Sequence, residues 1–136
     1  MITRSNPEVG YFAAEVFETF AFSQSVRAGD TVYYSGVAPL RGTLANMELV
    51  GPGDMKAQFE FVLRVIDDLL KADGLDRSKL VSWTFYTTKV AAFMEVLPTV
   101  LKPWIAGHAP CSTTIGVGGF VHPEQMLEIT AIAVDA

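Results

Sequence analysis

An acidic side chain inside an otherwise apolar stretch is the first feature of this sequence that could do chemistry. Glu128 stands in Leu127-Glu128-Ile129-Thr130-Ala131-Ile132-Ala133-Val134, where burial is costly unless the carboxylate is hydrogen-bonded or serves a task, and where burial raises its pKa. Such a carboxyl group can handle a proton or position a water in a cleft. It can equally make a structural hydrogen bond at a subunit interface, and the residues alone leave both readings open. Metal chemistry has little to rest on. His108 lies three residues before Cys111 and His122 two before Glu124, both pairs in Pro-containing turns with no third ligand nearby. Gly116-Val117-Gly118-Gly119 lies in an extended segment and does not open a helix, so it is not read as a phosphate loop. The lone cysteine, Cys111, cannot form an internal disulfide and is expected to be a small buried thiol in a reducing compartment.

The elements that must hold these residues follow from periodicity. Thr31-Val32-Tyr33-Tyr34-Ser35 reads as a strand with Val32 and Tyr34 on one face and Thr31, Tyr33 and Ser35 on the other. A turn at Arg41-Gly42 leads into a short strand over 43–50. Asp54 then sits at a helix N-cap, followed by Met55, Phe59, Val62, Leu63, Ile66, Leu69 and Leu70 at helical spacing, with Gly74 closing the helix. The segment 80–88 alternates Val81, Trp83 and Phe85 against Ser82, Thr84 and Tyr86. A second helix starts near Val90 and is expected to bend or restart at Pro98. A glycine-interrupted strand is expected over 113–120, and the last strand over 127–134. Residues 1–16 read as an N-terminal arm or irregular first strand.

One domain spanning 1–136 is expected from the length. Strands, helix, strand, helix, strands suit an α+β fold, one mixed sheet with two helices packed on a single face. Half of the residues are hydrophobic and 18% are charged, so part of the apolar surplus is assigned to a subunit interface. No apolar stretch approaches the roughly 20 residues of a membrane span, and no basic flank precedes an apolar run at the start of the chain, so a cytoplasmic location without membrane partners is expected. The net charge of −5, with ten scattered basic residues of which no two are adjacent, disfavours nucleic acid as a partner.

Five stretches, three in the first part of the chain and two in the last, carry a family resemblance. Phe22-Ser23-Gln24-Ser25-Val26, Gly29-Asp30 and Val32-Tyr33-Tyr34-Ser35-Gly36 resemble the opening of the reactive-intermediate deaminase (Rid, YjgF-like) family. Pro110-Cys111-Ser112-Thr113-Thr114-Ile115 and the Leu127 to Val134 strand resemble its closing segments, so the likeness covers roughly 20–134. It implies a chorismate-mutase-like fold, a homotrimer with clefts between neighbouring subunits, and cofactor-free hydrolysis of enamines and imines, such as 2-aminoacrylate and its imine tautomer, to ammonia and a 2-keto acid. By this resemblance Glu128 is the water-holding catalytic glutamate, with Ser35, Phe22, Leu97, Ser112, Thr114 and Cys111 around the substrate. The family's carboxylate-binding arginine falls on Ser112, its tyrosine on Phe22 and its second-helix asparagine on Leu97. A charge-assisted hydrogen bond contributes about 1.5–3 kcal/mol, and a serine hydroxyl cannot replace a bidentate guanidinium. A less anionic or larger substrate therefore fits better than a small 2-imino acid. The alternatives are a non-catalytic trimer that binds a small ligand or shields other proteins as a chaperone, and the endoribonuclease activity attributed to some relatives, which the acidic balance disfavours.

Overall fold

A computed structural model describes residues 1–136. The elements in chain order are β1 (Ile2–Ser5), α1 (Ala14–Phe20), β2 (Ser25–Ala28), β3 (Thr31–Val37), β4 (Leu40–Gly42), β5 (Met47–Leu49), α2 (Met55–Ala72), β6 (Leu80–Thr87), α3 (Val90–Ile105), β7 (Cys111–Gly116) and β8 (Leu127–Val134). Six strands form one mixed sheet in the order β1-β2-β3-β8-β6-β7, and β4 and β5 form a separate hairpin. All pairings in the main sheet are antiparallel except that of β6 with β7.

The core lies between one face of this sheet and the helices α2 and α3. Along β8 burial alternates strictly: Leu127, Ile129, Ala131 and Ala133 are buried, while Glu128, Thr130, Ile132 and Val134 are half-buried on the opposite face. Small Ala131 and Ala133 let α2 approach, and its Phe59, Val62, Ile66 and Leu69 are fully enclosed. Asp54 caps α2 as expected, its side chain accepting a 3.0 Å hydrogen bond from the Ala57 N–H. Phe59, Phe85 and Phe93 tie α2, β6 and α3 together through tilted and edge-on ring contacts 5.1–6.0 Å apart.

Several expectations need correction. The helices number three, because 14–20 folds as the short helix α1 and 2–5 pairs regularly with β2, where an arm or irregular strand was expected. The stretch 40–50 is a hairpin whose turn falls within 43–46. α3 runs unbroken through Pro98 and Pro103. Val81 is exposed and Leu80 buried, because an irregularity between Leu80 and Ser82 reverses the alternation at the start of β6. β7 begins at Cys111 and ends at Gly116, so Gly118 and Gly119 lie beyond it. Cys111 is exposed rather than a buried thiol, since β7 is an edge strand.

Candidate functional site

The position of Glu128 is set by an irregularity in its neighbouring strand. β3 and β8 pair Tyr34 with Ala131 and next Val37 with Ile129, so β3 carries one extra residue at Ser35-Gly36. This bulge returns Val37 to the core side and leaves Gly36 beside Glu128. A Cβ on Gly36 would run into the Glu128 carboxylate, lying 2.8 Å from its Cδ. A side chain here would displace the Glu128 carboxylate, so space rather than backbone conformation is the constraint, since Gly36 does not have a positive φ.

Glu128 projects from the sheet face opposite α2 and α3 into a cleft of about 440 Å³. Tyr11, Phe12, Val16 and Phe20 form one wall of that cleft, and Leu40, Leu44 and Met47 of the hairpin region another. Phe22, Gly36, Ala38, Val121 and Gln125 complete the lining. No lysine, arginine or histidine is among these residues. Helix α1 enters the wall because Val16 and Phe17 are buried on one side of it and Phe17 packs on Phe22 at 5.0 Å between ring centres.

Three polar groups meet in this apolar setting. Burial pushes the Glu128 carboxyl above its ordinary value, with a hydrogen bond from Gln125 partly opposing the shift. Gln125 is almost wholly buried; its Nε2 donates to the Leu127 carbonyl at 3.1 Å and to Glu128 Oε1 at 3.3 Å. These two acceptors fix the orientation of the amide and leave Gln125 Oε1 buried without a hydrogen-bond partner in the protein. The Tyr11 hydroxyl accepts from the Ala38 N–H at 2.9 Å. Burial raises the Tyr11 pKa far above the usual phenol range, the Ala38 hydrogen bond opposing and the Glu128 charge adding to the effect. Its proton is therefore retained, and the O–H is free to donate.

Of the residues singled out from sequence, Glu128 and Phe22 come together in this cleft. Ser35 lies in the bulge, but its hydroxyl donates to the Ser23 carbonyl at 2.6 Å. Ser112 accepts a 2.6 Å hydrogen bond from the Trp83 indole N–H, so its hydroxyl serves the core-facing side of the sheet. Thr114 pairs with Phe85 in β7 and shares that side, while Cys111 pairs with Ser82 on the alternate one. Leu97 packs against the core from α3. Leu97, Cys111, Ser112 and Thr114 do not line the Glu128 cleft. Tyr11 and Gln125 were missed, because a tyrosine in an irregular leader and a glutamine in a turn have no period or spacing that marks them.

A mixed sheet with α2 and α3 on one face, and a lone carboxyl group at a strand bulge in an apolar cleft on the other, define a protein of the α+β class. The chain belongs to the Rid (YjgF-like) family: the family model described as Endoribonuclease L-PSP matches residues 14–135. Protein DfrA of Myxococcus xanthus is 36% identical over 115 residues, covering 83% of this chain and 84% of that protein. Among solved structures, RidA of an Antarctic Psychrobacter is 24% identical with a TM-score of 0.80, over 97% of this chain and 99% of that one. Yeast Mmf1 is 21% identical with a TM-score of 0.82 and full coverage of both chains. These two likenesses establish the fold. No helix is long and apolar enough to cross a membrane.

Proposed function

We propose that this protein is a homotrimeric small-molecule hydrolase that acts on an unsaturated amine or related carbonyl compound, with Glu128 as its proton-handling residue. The observation that carries the reading is a half-buried carboxyl group with a raised pKa, placed in an otherwise apolar cleft beside a free phenol O–H. In the protonated state Glu128 gives its proton to the nitrogen of a C=N group. The resulting carboxylate accepts a proton from the water that adds to the carbon. Glu128 then passes that proton to the nitrogen of the tetrahedral aminoalcohol, the C–N bond breaks to release ammonia, and the carboxylate takes the hydroxyl proton, which leaves a carbonyl compound and Glu128 protonated as it began. Family membership supports this chemistry by analogy of position.

Ammonia release from imines generated in solution tests the reading. Glu128→Gln keeps the shape of the side chain but cannot cycle a proton, so turnover is expected to fall by about 100-fold or more. Turnover unchanged in that variant refutes the assignment. A second reading, a ligand-binding trimer without turnover, is favoured by the absence of any cation in the cleft and by the commitment of Ser112 to Trp83. Binding that survives Glu128→Gln in a wild type without turnover would establish it. Endoribonuclease activity is not adopted, because the net charge of −5 and the cation-free cleft offer phosphates no counter-charge.

A further inference from the structure

The lining of the cleft says what kind of molecule it accepts. At about 440 Å³ it has the size of a site for a ring-containing or medium-chain ligand. The smallest 2-imino acids would leave most of its apolar wall against water. A carboxylate buried here would meet no counter-charge, and an ionised Glu128 would repel it. The polar end is specific in the opposite sense. Gln125 lines this end of the cleft, and its Oε1 is buried without a partner in the protein, which leaves an acceptor here that suits an N–H donor. Tyr11 has its own hydroxyl proton to give, since it already accepts from Ala38, so the same ligand head must also accept.

We propose that the cleft selects an uncharged, largely apolar molecule, an aryl- or alkyl-substituted imine or enamine without a carboxylate. Its nitrogen head lies among Glu128, Gln125 and Tyr11, and its apolar body lies along Phe20, Leu44 and Met47. Gln125 and Tyr11 act as head-group-binding residues, and the wall formed by α1 and the β4-β5 hairpin sets the preference for an apolar body. The inference rests on reading this cleft as the substrate site, and it concerns which molecules bind rather than whether they are turned over.

A primary amide carries the required donor and acceptor on a stable, uncharged head, so binding can be read without turnover. Titration calorimetry of the intact protein near neutral pH with phenylacetamide, phenylacetate and acetamide separates head-group charge from apolar body. Phenylacetamide is expected to bind at least about tenfold more tightly than either of the others. Met47→Asp, which places a charge on the apolar wall, is expected to weaken phenylacetamide by a similar factor. Phenylacetate binding as tightly as phenylacetamide, or no saturable binding of phenylacetamide to the wild type, overturns the proposal whatever Met47→Asp does. Selective amide binding by a protein that hydrolyses no imine leaves the ligand class standing and removes only the hydrolase reading. Turnover of 2-imino acids without amide binding does the reverse.

Discussion

Glu128 is held in a state that costs stability whenever it ionises. Its folded-state pKa is raised above the ordinary 4.5, chiefly because burial disfavours the carboxylate. The folded protein therefore binds this proton more tightly than the unfolded chain does. Such a group contributes stability that is fully present below the unfolded value and is lost as pH rises through the higher folded value. In Glu128→Gln the side chain stays neutral and can still accept from Gln125 Nε2. Thermal unfolding followed by circular dichroism should give nearly equal melting temperatures for wild type and variant near pH 4. As pH climbs past about 4.5 the variant should become the more stable of the two. A gap that widens instead toward acid pH would mean that the carboxylate is stabilised where it sits.

At the scale of the element, the ends of α3 show how local geometry and sequence can disagree. Ala106 caps its carboxyl terminus in the left-handed region, with φ of 51° and ψ of 41°, while its N–H reaches the Lys102 carbonyl. A Cβ in that conformation costs about 1–2 kcal/mol, and the greater freedom of glycine in the unfolded chain returns part of it. Ala106→Gly should thus raise unfolding free energy by about 0.5–1 kcal/mol in urea titrations, with cleft binding unaffected, since Ala106 is not among the cleft residues. The elements legible from sequence were those in which one period runs long enough to dominate. α2 shows its stripe over five turns, and β8 alternates over its whole length. α1 has only seven residues, too few for a stripe to stand out, and its neighbour β1 is exposed at every position. The bulge at Ser35-Gly36 and the irregularity at Leu80-Ser82 each shift a face by one residue, and both depend on pairing partners distant in the chain. The site divides in the same way. Glu128 was visible because an acid is anomalous in an apolar strand, whereas Tyr11 joins it only through tertiary folding and Gln125, three residues away in the chain, only through the local geometry of the turn before β8.

For the whole molecule, the decisive surface is the sheet face that α2 and α3 leave uncovered. Across it run Tyr33, Ile132 and Ser82, which are register neighbours on β3, β8 and β6, with Thr84 and Thr130 beside them. Tyr33 is 48% exposed, and Ile132 and Val134 are half-buried, so the face is too apolar for solvent and too polar for a protein core. A surface of that mixed kind is suited to contact with other copies of the chain, where a stable interface buries about 800 Å² per partner. The proposed trimer predicts a light-scattering mass three times the 14.8 kDa of the chain. Ile132→Arg places a charge at the centre of the face, and its desolvation should exceed what the remaining contacts return. That variant is expected to elute as a folded monomer with unchanged far-ultraviolet dichroism. If Leu97, Cys111, Ser112 and Thr114 reach the Glu128 cleft of a neighbour, the monomer should also lose turnover while its own cleft still binds phenylacetamide. Wild-type protein that scatters as a single chain at micromolar concentration would remove both the trimer and any role for those four residues at the site.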